Sequence, residues 1–392
     1  MESHNNLEEN GGVKVSDIKL KNNVKLKLMS CFRSSSENGV PTVEKVDGDG
    51  NVDIESVSGD KHHSPTHLVV MVNGLIGSAK DWRFASKQFL NKYPSDIIVH
   101  CSTRNSALAT LDGVDVMGSR LAEEVKSVIE RHPNLQKISF IGHSLGGLIA
   151  RYAVAKLYTQ DDTNLDSNDV CSEHICNQKI AGLEPINFIT IASPHLGSRG
   201  RKQVPMFCGL KSLEKVGFYT SVILKRTGRQ VYLKDKSNGH PPLLVQMAND
   251  SEDLKFISAL LSFKRQVVYA NVLSDHLVGW STSSIRHRSE LPKRKNLARS
   301  SRYPHILKEG TETTPKQEVF KNLQTDGHKS KTETMEETMI KGLCKIRWER
   351  VDVSFKGSRQ RYLAHNTIQV NSPWMNSDGA DVIQHMVDNF LM

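Results

Sequence analysis

Ile138-Ser139-Phe140-Ile141-Gly142-His143-Ser144-Leu145-Gly146-Gly147-Leu148-Ile149-Ala150 holds the densest chemical information in this chain. The apolar run Ile138 to Ile141 suits a parallel strand covered on both faces, and from Leu148 apolar residues continue at helical spacing through Tyr152 and Val154. Between strand and helix stands a serine flanked by glycines, Gly142-x-Ser144-x-Gly146. That is the pattern of a nucleophile elbow, a tight turn that holds its serine at an unfavourable backbone angle. The glycines have a steric cause, because a side chain at either place would collide with the neighbouring strand or helix. The bare pattern also occurs as an ordinary glycine-rich turn, so the flanking strand and helix are what favour the elbow.

Working outward, Leu68-Val69-Val70-Met71-Val72 reads as a buried strand that ends in Asn73-Gly74-Leu75-Ile76-Gly77-Ser78, before a helix around Asp81 to Asn91. Ile97 to Val99 supplies another strand. An amphipathic helix from about Met117 to Glu130 carries Leu121, Val125 and Ile129 on one face. After the elbow helix, the polar stretch Gln160 to Lys179 reads as a surface insertion. The sheet resumes at Ile186 to Ile191, and again at Val267 to Val272, which ends at Ser274-Asp275. The region of about 200–263 falls where a cap over a site is inserted. A helix around Thr332 to Cys344, a strand from Trp348 to Phe355 and a helix from about Gly379 to Phe390 complete the chain. Strands alternating with helices predict an α/β fold with a mainly parallel sheet.

Two segments fall outside this alternation. Residues 1–62 are rich in Asn, Ser, Gly, Glu and Lys with short apolar patches, which predicts a disordered tail ahead of a folded domain at 63–392. Within about 286–330, Arg286, Arg288, Lys293, Arg294, Lys295, Arg299 and Arg302 crowd a stretch punctuated by Pro292 and Pro304, which predicts an exposed basic loop.

At 392 residues the chain is long enough to bury a sizeable core. Its net charge of +9 favours acidic surfaces such as anionic lipid headgroups. A nucleic-acid role is not expected, since no recognition module or interleaved aromatics accompany the basic stretch. Six scattered cysteines argue against a disulfide framework and fit a reducing compartment. Cys171, His174 and Cys176 cluster, yet no second pair at finger-like spacing joins them, so a surface loop is favoured over a zinc site. No signal-peptide core opens the chain, acidic Glu2, Glu8 and Glu9 disfavour a transit peptide, and no run approaches the ~20 apolar residues of a membrane span. The expectation is a cytoplasmic protein, with any membrane or lipid-droplet contact peripheral.

A serine is a poor nucleophile at neutral pH, so Ser144 needs a histidine to take its proton and an acid to orient that histidine. The order Ser, then Asp or Glu, then His accompanies this elbow. Asp275 satisfies it just beyond a buried strand; Asp235 and Asp250 lack that placement, and a turn-forming aspartate is the alternative reading of Asp275. His365 follows the final strand and is favoured as base over His276 and His305. His385 is the rival, although a helical histidine beside Val382 and Met386 is more often a packed one. Negative charge on an attacked carbonyl needs waiting donors, and the backbone N–H groups of Leu145 and Leu75 occupy the expected places, with Gly74 leaving room for substrate.

The segments around Leu68–Gly74, Gly142–Gly147, Ile189–Gly197 and Ala364–Ile368 together resemble the "putative serine esterase" family of lipase-like α/β-hydrolases of plants and fungi, from about residue 66 onward. The resemblance implies an α/β-hydrolase fold, Ser144 as nucleophile, Asp275 as acid, His365 as base, and ester substrates of lipid type, acylglycerol or phospholipid. It departs at Asn73-Gly74, where many lipases have His-Gly. No cofactor is required by this chemistry. A non-catalytic ligand-binding or scaffold protein of the same fold is the reading from another class, since fold does not fix function. Phe207, Leu210, Val216, Phe218 and Leu224 suit an acyl chain or simply pack the cap.

Overall fold

The computed structural model describes residues 42–46, 52–56, 64–160, 178–198, 224–237, 239–309 and 330–392. Its centre is a ten-stranded sheet. In chain order the strands are β1 (Thr42–Val46), β2 (Val52–Ser56), β3 (His67–Val72), β4 (Ile97–Cys101), β5 (Lys137–His143), β8 (Glu184–Ile191), β9 (Arg265–Asn271), β10 (Leu297–Arg299), β11 (Ile306–Glu309) and β12 (Glu349–Val353). A separate hairpin joins β6 (Tyr158–Gln160) to β7 (Gln178–Ile180). The spatial order is β1-β2-β4-β3-β5-β8-β9-β12-β11-β10. The six from β4 to β12 are parallel, and an antiparallel hairpin extends each end. This is an α/β-hydrolase sheet: the crossovers are helical, both faces are covered, and the elbow strand β5 lies centrally.

Alternation along the strands divides the core. Leu68, Val70, Val72 and Phe140 pack with Leu121 and Val125 of α2 (Val114–Arg131) and Leu148 and Val154 of α3 (Leu145–Leu157). Val69, Met71, Ile141 and Ile189 face the other way, toward Phe89 of α1 (Arg83–Lys92) and the Val382, Ile383 and Met386 side of the C-terminal helix Ala380–Asp388. A period of two in the strands therefore meets a period near 3.6 in the helices, with a core on each face of the central parallel strands. Among the described residues no helix is long and apolar enough to cross a membrane.

Two expectations need correction. The boundary at 62/63 falls too late, because β1 and β2 precede it and β2 pairs with β4. Polar composition hides the reason: Ile54 is buried against the sheet, and buried Asp53 accepts from His100 Nδ1 (2.6 Å), Arg131 (2.8 Å) and His132 (3.2 Å). The basic stretch is likewise not simply an exposed loop. β10 and β11 continue the sheet from β12, and Arg286 grips buried Asp352 at 2.8 and 2.9 Å. A carboxylate on an inner strand requires such a partner, which Trp280 Nε1 supplements at 2.7 Å. Residues 1–41, the Cys171-His174-Cys176 cluster and the cap residues Phe207, Leu210, Val216 and Phe218 lie outside the described residues.

Candidate active site

Ser144 sits at the turn between β5 and α3 with φ +53°, in the left-handed region that disfavours residues carrying a Cβ. Its surroundings hold it there. The Ser144 N–H donates to Ile191 O of β8 at 2.8 Å. A Cβ on Gly142 would lie 2.6 Å from Gly147 N, and one on Gly146 2.2 Å from Val72 O, so both glycines mark backbone approaches closed to any side chain.

Asp275 follows β9 by four residues, after Ser274 at φ +62° has turned the chain back over the sheet end. His365 stands on the one-turn helix α7 (Ala364–Thr367); among the helices before it are α4 (Lys225–Val231), α5 (Phe256–Leu261) and α6 (Lys331–Leu343). The three side chains form one line. Ser144 Oγ–H donates to His365 Nε2 at 3.0 Å, and His365 Nδ1–H donates to Asp275 Oδ2 at 3.0 Å, the tautomer being assigned from this network. Asp275 is buried and its other oxygen accepts the N–H groups of Leu277 (3.0 Å) and Val278 (2.9 Å), while Asn271 Nδ2 reaches Oδ2 at 2.9 Å. Burial alone would push this carboxyl up, but the charge and hydrogen bond of His365, with those of Val278 and Asn271, outweigh it and hold the group below the ordinary carboxylate range.

The rival groups are placed elsewhere. His385 Nδ1 pairs with Tyr269 Oη at 2.9 Å, and its pKa is lowered chiefly by burial. His305 binds Asp381, His276 stacks on Tyr362, Asp250 accepts the Ile257 N–H near the start of α5, and Asp235 accepts the Leu243 N–H.

Ser144 and His365 open onto a cavity of about 640 Å³ that Gly74, Leu75 and Leu145 also line. The Leu145 N–H opens α3, so it belongs to the first-turn amides that have no acceptor within their own helix. Gly74 lies so near Ser144 that a Cβ there would come within 2.9 Å of Ser144 Cβ. Asn73, buried beside it, clasps this loop by donating from Nδ2 to Asn105 O (2.9 Å) and Gly74 O (3.2 Å). Leu224, Val231, Tyr232, Leu277 and Val278 make an apolar part of the wall, and Asn366, Gln369 and Asn371 a polar part next to His365. Among the described residues no group of three His, Cys, Asp or Glu side chains is arranged to hold a metal ion. Sequence reasoning missed Asn73 as a clasp, Asn271 on the Asp275 carboxylate and His143, whose Nε2–H donates to the carbonyl of His365 at 2.7 Å. A polar residue closing an apolar strand was the available signal for Asn271 and His143.

Residues 62–285 match the model of the family described as "Putative serine esterase (DUF676)", more than half of the chain. The protein belongs to this family. Ser144 and Asp275 fall inside the matched residues, and His365 lies beyond them. Two relatives from Saccharomyces cerevisiae are similar to it: "Putative lipase ROG1", 32% identical over 56% of this chain and 28% of its own length, and "Putative lipase YDL109C", 29% identical over 56% and 30%. The match thus spans less than a third of these relatives. Among solved structures, carboxyl esterase 2 of the mycorrhizal fungus Tuber melanosporum aligns over 92% of this chain and 90% of its own at 12% identity, with a TM-score of 0.44.

Proposed function

We propose that this esterase-family protein is a serine hydrolase that cleaves carboxylic esters through an acyl-enzyme, with lipid esters, acylglycerol or phospholipid, as substrates. The observation that carries the reading is the unbroken hydrogen-bonded line Ser144–His365–Asp275 facing a cavity. Ser144 Oγ attacks the ester carbonyl while His365 Nε2 takes the hydroxyl proton; the carbonyl oxygen becomes an oxyanion facing the Leu75 and Leu145 N–H groups. The C–O bond to the alcohol then breaks, and His365 returns the proton to the departing oxygen. Water repeats the sequence on the acyl-serine and releases the acid. Asp275, kept ionised, orients the imidazole and stabilises the imidazolium that forms twice in the cycle.

The names of the two yeast relatives support the lipid class. So does the position of Tyr362, Leu363 and Trp374, exposed on the segments flanking the cavity residues His365 and Asn371, with Trp374 83% accessible. Such groups suit peripheral contact with a membrane or lipid-droplet surface. A fluorophosphonate probe labels the wild type and not Ser144→Ala if the reading holds; equal labelling of the two proteins, or none of either, defeats it. Hydrolysis of mono-, di- and triacylglycerols, phospholipids and short synthetic esters by the same pair then assigns the substrate. Retention of wild-type rates on every ester by Ser144→Ala would exclude this serine as the nucleophile.

A further inference from the structure

The helix that carries His365 is a single turn, and a single turn fixes itself weakly, since the bond from the Ile368 N–H to Ala364 O closes it and the His365 carbonyl gains no such bond from Gln369. The Gln369 N–H, four residues beyond His365, turns instead to Asn366 O at 3.3 Å. A buried carbonyl still requires a donor. For His365 it comes from across the site, where His143 Nε2–H donates at 2.7 Å. For the preceding residue, Ala364, the Ile368 N–H (3.1 Å) is joined by Asn271 Nδ2 at 3.2 Å, and the same Asn271 nitrogen donates to Asp275 Oδ2 at 2.9 Å. His143 is the last residue of β5 and adjoins the nucleophile; Asn271 is the last residue of β9 and stands four before the acid. Each of the two strands therefore holds the base-bearing turn by one carbonyl.

We infer that His143, with Asn271 on the neighbouring carbonyl, is a positioning residue that fixes the His365 backbone so that its ring spans Ser144 and Asp275 at hydrogen-bond length on both sides. The bond sets the tautomer of His143, with the proton on Nε2 and Nδ1 bare. The role also needs a donor that stays uncharged. The two rings are centred 4.8 Å apart, and a second cation there would oppose the imidazolium that forms on His365. Burial above all, then the neighbouring His365, holds the His143 pKa down to about 3, so it remains neutral while the site works. Displacement of a reacting group by a fraction of an ångström is costly, and losses of about 10- to 100-fold follow from such misplacement.

The inference rests on the hydrolase reading, and its test separates the two. His143→Leu removes the donor at similar bulk, whereas His143→Gln keeps an N–H near the Nε2 position. We expect kcat on a soluble synthetic ester, and the rate of fluorophosphonate labelling of Ser144, to fall about 10- to 100-fold in His143→Leu with KM changed less than about threefold. His143→Gln should recover most of that loss and leave the acid limb of the pH–rate profile where it lies in the wild type. Equal losses in Leu and Gln variants overturn the inference, because they assign His143 to packing alone; so does a folded Leu variant with wild-type kcat. If His143→Leu does not fold, the comparison passes to His143→Gln against His143→Asn, whose amide is too short to reach. Lower kcat in Asn supports the tether, and equal kcat overturns it. A wild type that the probe fails to label overturns the hydrolase reading itself.

Discussion

At the scale of single residues, the candidate site depends on backbone approaches more than on side-chain bulk. Gly146 shows this most sharply, since its Cβ position lies 2.2 Å from a carbonyl oxygen of β3, an atom that cannot swing aside. Gly146→Ala should cost about 3 kcal/mol or more, seen as a lowered urea midpoint or as loss of soluble protein, while an exposed-glycine control such as Gly182→Asn, with open space around it, stays near the wild type. Asp275→Asn keeps the shape but removes the charge and admits the wrong imidazole tautomer, so kcat should drop by about 10³-fold or more with KM little changed in steady-state kinetics. Ser144 and Asp275 were legible because each follows a buried apolar strand, where loop residues of such sheets gather, and His365 because it falls beyond the final strand in the order Ser, Asp, His. His143 and Asn271 were not. One fills a variable place in the elbow pattern and the other looks like the polar close of a strand, and neither reveals from sequence which carbonyl it will meet.

At the scale of elements, the N-terminal hairpin is the part that composition concealed. Of the described side chains there, Ile54 is buried and Asp53 on β2 enters a network of charges with His100 on β4 and Glu124 on α2, which accepts from His100 Nε2 (3.2 Å), Ser102 (2.7 Å) and the Thr103 N–H (2.7 Å). Burial alone would lower the His100 pKa, yet the hydrogen bonds and charges of Asp53 and Glu124 raise it from 6.5 to about 9. Burial alone would likewise raise the two carboxyls, and His100 holds both below their ordinary range. The stabilisation from His100 is therefore complete below about pH 6.5 and disappears as pH rises through about 9, while that from Asp53 and Glu124 is present above the ordinary carboxylate range and disappears in acid. Asp53→Asn should lower stability by about 1–3 kcal/mol near pH 6, and the gap in Tm from the wild type should narrow toward pH 9.5. A gap constant from pH 6 to 9.5 would mean that His100 is not charged in the folded protein. Removal of residues 1–56 should destabilise the remainder, an outcome opposite to that of trimming a disordered tail, and thermal melts of the two lengths measure it. The mainly parallel core, by contrast, could be read directly, since strands buried on both faces have continuous apolar runs.

At the scale of the whole molecule, the site is assembled from parts far apart in sequence and adjacent only through the sheet. β12 lies against β9 in parallel register, from Glu349 opposite Val267 to Val353 opposite Asn271, and it leads the chain to His365. The family match ends at residue 285, before β12 is made. A polypeptide cut there keeps Ser144 and Asp275 but leaves β9 as a long, hydrophobic, unpaired edge, and Arg286 and Asp352 depart together with the other piece. Such a fragment should aggregate and fail to react with the probe. Supplied in trans with 286–392, its open edge becomes a template for the missing strand, and the register of β12 on β9 delivers the histidine to the serine. Recovery of labelling on mixing the two pieces would make this protein a split reporter whose signal is the closing of its own sheet.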